Sequence, residues 1–144
     1  MLQRCRAGLL SAAALVGSVC TARALEGGGG GSQTCEVQRA RIHELVKQYD
    51  AVVFSKSYCP YCTCTKDLFE RLLGGEAMRQ RALVVELDEI GEDGPLMQEA
   101  LHELTQQRTV PSVWLKGEHV GGNDDAQRMA RSGELQRLLD ISGS

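Results

Sequence analysis

Basic clusters, long apolar runs and paired metal ligands are all scarce in this 144-residue chain, and each scarcity closes off a class of function. The net charge is −3 and no stretch gathers Lys and Arg, so a nucleic-acid partner is not expected. No run approaches the ~20 apolar residues that a membrane-spanning helix needs, so no stable membrane anchor is expected after processing. A zinc site needs about four ligands, usually as a second Cys or His pair. Near Cys59 and Cys62 the chain offers only Cys64, and the scattered His43, His102 and His119 make no second pair, so no metal site is expected. The spacing of the six cysteines is not that of a disulfide scaffold, since Cys5 and Cys20 fall in an N-terminal segment expected to be cleaved off. The length suffices for one domain with a real core and not for two.

That N-terminal segment, residues 1–24, carries Arg4 and Arg6 ahead of an apolar and small-residue stretch from Gly8 to Val19. Ala22-Arg23-Ala24 then offers a cleavage site. The order matches a secretory signal peptide, which predicts entry into the secretory pathway. A transit peptide for mitochondrion or plastid is the alternative, weakened by the absence of arginine between residues 7 and 22. Residues 25–34, with five consecutive glycines, read as a flexible linker, and the folded domain is expected over 35–144.

Within that domain the most informative feature is Cys59-Pro60-Tyr61-Cys62, directly after the apolar run Ala51 to Phe54. Two thiols separated by two residues at a strand-to-helix junction can pass between dithiol and disulfide. Pro60 has no amide hydrogen and a φ suited to the first helical position, which makes Cys59 the N-cap. The unpaired amides near Tyr61 and Cys62 and the positive end of the helix dipole then favour a thiolate on Cys59, with Lys56 expected to add to the effect. Cys62 lies one turn in and is more enclosed. Cys59 is therefore the expected nucleophile and Cys62 the resolving thiol.

Periodicity sets out the rest. Ile42, Leu45, Val46 and Tyr49 mark an amphipathic helix over about 35–49. A strand is expected at 51–55 and a helix at 60–73, ended by Gly74-Gly75. Leu83–Leu87 is a second strand, parallel to the first because a helix crosses between them. Gly94-Pro95 opens a third helix. Ser112–Leu115 and Glu118–Val120 flank Lys116-Gly117 as a hairpin, followed by terminal helices at 123–131 and 134–139. Cys64 is rotated about 200° from Cys62 and reads as a bystander. Cys35 has no evident partner, and the three histidines read as surface or turn residues without a catalytic role.

Four ordered segments carry a resemblance: Lys56 to Cys62, Val84 to Asp88, Arg108-Thr109-Val110-Pro111, and Gly121-Gly122-Asn123-Asp124-Asp125. Over roughly residues 36–141 the chain resembles the dithiol glutaredoxins of the CPYC type. The resemblance implies an α/β, thioredoxin-like fold with a four-stranded mixed sheet flanked by helices, in a monomeric protein. It further implies glutathione as co-substrate, no metal, and turnover of protein–glutathione mixed disulfides and protein disulfides, so that the partners are glutathionylated or disulfide-containing proteins.

By the same resemblance, Val110 before a cis Pro111 would pair with the cysteinyl backbone of glutathione. Lys56 and Arg108, with Gln107 beside them, would hold the glycyl carboxylate. Tyr61, Thr109 and Gly122 complete the binding set. The amides of Asp124 and Asp125 would take the γ-glutamyl carboxylate, and the Asp125 side chain its ammonium. Asn123 departs from the many relatives with cysteine there. An alternative, a [2Fe–2S] carrier ligated through Cys59 and glutathione, is opposed by Pro60 and Tyr61. A thioredoxin- or isomerase-like activity is opposed by Tyr58 and Tyr61, which stand where Trp, Gly or His would be expected.

Overall fold

Along strand β1 (Ala51–Ser55), Val52 and Phe54 point to one side of a sheet and Ala51 and Val53 to the other, and all four are buried. A strand apolar on both faces must be central, with helices covering each side. The computed structural model describes residues 30–141, with side chains from Thr34 onward. The expected leader (1–24) and the first part of the 25–34 linker therefore lie outside the described residues.

The sheet has the order β2-β1-β3-β4. β2 (Ala82–Glu86) runs parallel to β1, while β3 (Ser112–Leu115) is antiparallel to β1 and β4 (Glu118–Gly121) is antiparallel to β3. This is the four-stranded mixed sheet of a thioredoxin-like fold. Helices α1 (Gly30–Gln48) and α4 (Asp93–Thr105) pack against each other over Val52, Phe54 and Trp114. On the other face α2 (Pro60–Leu73), α5 (Asn123–Ser132) and α6 (Glu134–Leu138) cover Ala51, Val53, Val113 and Leu115. Phe54 and Phe69 are fully buried, one in each layer, and each contributes roughly 1.5–3 kcal/mol by leaving water. Stability is thus vested in the layers, which frees the sheet's rim to carry polar chemistry. Among the described residues no helix is long and apolar enough to cross a membrane.

The turn at Lys116-Gly117 takes positive φ at both positions, as a tight hairpin demands. Three expectations shift. β2 begins at Ala82 and ends at Glu86, one residue earlier than the apolar run indicates, because Leu87 has left the strand to cover the α1/α4 core. Helix α1 starts at Gly30, inside the glycine-rich stretch, where residues without apolar side chains leave no period to detect. Gly74-Gly75 does not lead straight to β2: a further short helix, α3 (Gly75–Arg81), intervenes. It buries none of its residues, so the apolar pattern carries no trace of it.

Candidate active site

Cys59 caps α2 in extended geometry, with Pro60 at the first helical position as its fixed φ requires. The residues before it are clamped from β2's end. The Asp88 carboxylate accepts from the Ser57 amide at 2.9 Å and from the Ser57 hydroxyl, and these two bonds hold Asp88 below the usual carboxylate range. The Cys59 amide donates to the Lys56 carbonyl at 3.1 Å, closing the turn.

The two thiols differ in surroundings. Cys59 is half-buried and Cys62 fully buried. Partial burial is the largest single influence on Cys59 and opposes ionisation, but the Cys62 amide and thiol, the Tyr61 amide and the charge of Lys66 together outweigh it. Its pKa is lowered. Burial dominates at Cys62 and, with the neighbouring Cys59 sulfur, pushes its thiol up against the pull of the Lys56 amide and the Ser55 hydroxyl. Of the two thiols, Cys59 is thus the more easily ionised and Cys62 the less.

Two details of that picture correct the sequence reading. The cation with the largest effect on Cys59 is Lys66 rather than Lys56, and the charge of Lys56 acts on Asp88. Lys66 stands seven residues after Cys59, two helical turns along one face, a spacing that could have revealed it. In the reduced state the Cys59 sulfur does not accept a capping hydrogen bond; its thiol faces the Val110 carbonyl at 3.9 Å, and the nearby amides act on the ionised form.

A cleft of about 490 Å³ opens beside this helix end. One wall is Tyr61. A second is the loop Thr109-Val110-Pro111 with Gln107, and the Val110–Pro111 bond is cis. The third is Gly122 to Asp125 at the start of α5, including Asn123, which was not among the expected site residues. Gln107 Nε2 donates to the carbonyls of Thr109 (2.9 Å) and Pro111 (2.8 Å), so it braces the loop. One Asp125 oxygen accepts from the Gly122 amide at 3.3 Å, while the other is paired with the exposed Arg128. Gly121, at φ 133°, makes room for this, because a side chain there would collide with the Asp125 carboxylate.

Of the expected residues, Tyr61, Gln107, Thr109, Val110, Pro111, Gly122, Asp124 and Asp125 converge on the cleft. Lys56 and Arg108 do not line it. They border two neighbouring depressions that share Pro95 and Gln98 at the start of α4, and Gln98 Nε2 holds the Arg108 carbonyl at 3.1 Å.

Among the described residues, the other two thiols, Cys64 and Cys35, do not line the cleft. Cys64 is exposed. Cys35 is buried between α1 and α4, where its thiol donates to Glu103 at 3.2 Å, and burial followed by that carboxylate raises its pKa. His119 is not a surface residue: it sits in β4 with its ring tilted against Trp114, and burial lowers its pKa.

The family model for glutaredoxin matches residues 51–120, which span the cysteine pair, the cis-proline loop and most of the hairpin. Glutaredoxin-C8 of Oryza sativa subsp. japonica is 44% identical over 100 residues, covering 69% of this chain and 70% of the relative. The chain belongs to the glutaredoxin family. Glutaredoxin-C4 of Arabidopsis thaliana is 45% identical over 103 residues, 72% of this chain and 71% of its own length. A solved buckwheat glutaredoxin–glutathione complex superposes with a TM-score of 0.67 at 38% identity, covering 75% of this chain and 92% of that one. Glutaredoxins are glutathione-dependent thiol oxidoreductases, and Cys59 and Cys62 are the thiols placed for such chemistry here.

Proposed function

We propose that this glutaredoxin reduces protein–glutathione mixed disulfides through Cys59 alone and protein disulfides through Cys59 and Cys62 together. The observation that carries this reading is the opposed ionisation of the two sulfurs at the edge of a peptide-sized cleft. In the one-thiol route, the Cys59 thiolate attacks the glutathione sulfur of the mixed disulfide and the protein thiolate leaves and takes up a proton. A second glutathione thiolate then attacks the adduct, giving glutathione disulfide and free Cys59. In the two-thiol route, Cys62 displaces the substrate from Cys59, and glutathione reopens the resulting disulfide.

Glutathione is the co-substrate, and the site residues fit it as follows. Val110, ahead of the cis proline, offers its amide and carbonyl as a strand edge for the cysteinyl unit. The amides at the start of α5, around Asp124 and Asp125, suit a carboxylate. Tyr61, Thr109 and Gly122 wall the same cleft. Lys56 and Arg108 are the cations for the glycyl end, reached by a ligand extending past the cleft toward α4. Entry to the secretory pathway through the 1–24 segment sets the compartment, where the glutathione poise decides the direction of exchange.

The experiment is a pair of assays on wild type and Cys62→Ser, with a glutathionylated peptide and with a protein disulfide as substrates. Cys62→Ser keeps the first activity and loses the second. Loss of both contradicts the one-thiol cycle. Visible absorbance in the freshly purified protein would favour cluster holding in its place.

A further inference from the structure

Among the described residues three side-chain hydroxyls are fully or almost fully buried, and two of them are engaged. Thr65 lies within reach of the Tyr61 carbonyl and the Asn123 amide oxygen, and Ser112 accepts from the Trp114 indole. Ser55 is fully buried and its hydroxyl has no partner. Its backbone is accounted for, since its carbonyl accepts from the Leu87 amide at 2.8 Å. A buried hydroxyl without a partner costs stability, so its retention calls for an account.

The fold gives that hydroxyl a direction. Ser55 ends β1, and alternation puts its side chain on the same face as Ala51 and Val53, toward α2. Its parallel neighbour Glu86 confirms the face by pairing with Lys66 of α2 at 2.6 Å. The α2 residue in the first turn on that inner face is Cys62, also fully buried. We propose that Ser55 is a positioning residue for the second thiol: its hydroxyl donates to the Cys62 sulfur whenever that sulfur carries negative charge. The Lys56 amide, next along the chain, is the companion donor.

The charged state arises twice per cycle. Cys62 loses its proton and attacks the Cys59 sulfur of the substrate adduct, the Cys59–Cys62 bond forms, and the substrate thiolate departs reduced. When a glutathione thiolate attacks Cys59, the same bond breaks and Cys62 leaves as a thiolate before regaining a proton. The titratable group acting on it is Cys59, whose sulfur disfavours a second negative charge, and the Glu86–Lys66 pair lies on the same side of the sheet, Glu86 being the strand neighbour of Ser55. In the thiol state Ser55 makes no hydrogen bond, so its contribution is confined to these steps.

The inference rests on the thiol–disulfide reading above, and the test separates the two. Ser55→Ala and the shape-matched pair Ser55→Thr and Ser55→Val are compared with wild type for the ratio of protein-disulfide to deglutathionylation turnover across pH. A hydrogen bond to a charged group is worth about tenfold or more, so in Ser55→Ala the ratio at pH 7 falls roughly tenfold and its rise with pH moves to more alkaline values. Ser55→Thr restores both relative to Ser55→Val, which also decides the matter should Ser55→Ala not fold. The reduced form of Ser55→Ala melts no lower than wild type, because the deleted hydroxyl had no partner. An unchanged ratio and pH profile, or a parallel fall of both activities with a lowered melting temperature, overturns the proposal. Absence of glutathione-coupled turnover in wild type itself defeats the underlying reading instead.

Discussion

The N-terminus of α2 and the seam between α1 and α4 each hold a thiol within reach of a hydrogen-bonding neighbour, yet they treat it in opposite ways. At the first, Cys59 meets amides, a second thiol and a lysine, and ionises more easily than a free cysteine. At the second, Cys35 is buried and donates to a carboxylate, so it keeps its proton. Burial opposes the charge of both sulfurs, and the difference teaches that donors strong enough to outweigh it make a thiolate, whereas an acceptor adds to it and keeps the proton.

The sharpest way to break this contrast is to remove each sulfur in turn. Cys59→Ser lowers glutathione-coupled turnover by on the order of 10³-fold or more, the scale of losing a nucleophile. Cys35→Ser changes it little and acts on stability instead. Comparable losses of turnover from both variants would erase the distinction between the two regions.

A smaller effect probes how the reactive end is held. Asp88→Asn keeps the shape but weakens the two bonds from Ser57 that fix the approach to Cys59. Turnover falls severalfold, less than the roughly tenfold worth of a whole hydrogen bond to a charged group because the Asn oxygen still accepts, with melting temperature nearly unchanged. A mutant with full activity would show that the clamp does not position the nucleophile.

The smallest effect is electrostatic and lies far from the site. Asp50, at the start of β1, is held below the usual carboxylate range by Lys116 (2.8 Å) and Arg81 (2.6 Å). A depressed carboxylate contributes stability that is present above its unfolded pKa and is lost as pH falls through its lowered folded value. Asp50→Asn therefore costs about 1 kcal/mol at neutral pH, and the deficit shrinks in acid below about pH 4. A deficit that persists undiminished in strong acid would assign the loss to packing. The thiols behave in opposite senses at the alkaline end. The contribution of raised Cys35 is full below the ordinary cysteine pKa and is lost as pH rises through its raised value, whereas that of Cys59 grows over the ordinary range.

What could be read from residue order alone divides along the same physical line. β1, α2 and the hairpin carry strong apolar periods or special turn residues, and their expected spans match the observed ones almost to the residue. α3 buries nothing, so no pattern announces it. The cysteine pair and the cleft loops were legible because each rests on a local rule: proline at a helix start, the extended residue before a proline, and amides at a helix N-terminus. Contacts made across the fold were not. Asp88 on Ser57 and Glu103 on Cys35 depend on which elements the fold brings together, 31 and 68 residues apart in the chain. No single-segment pattern encodes that.

The central claim is that Cys59 is ionised where Cys35 and Cys62 are not, and thiolate absorbance of the reduced protein, titrated in wild type and Cys59→Ser, measures it directly. The difference between the two curves should show one thiol with a midpoint below the ~8.5 of a free cysteine. A difference curve centred at or above that value would contradict the account.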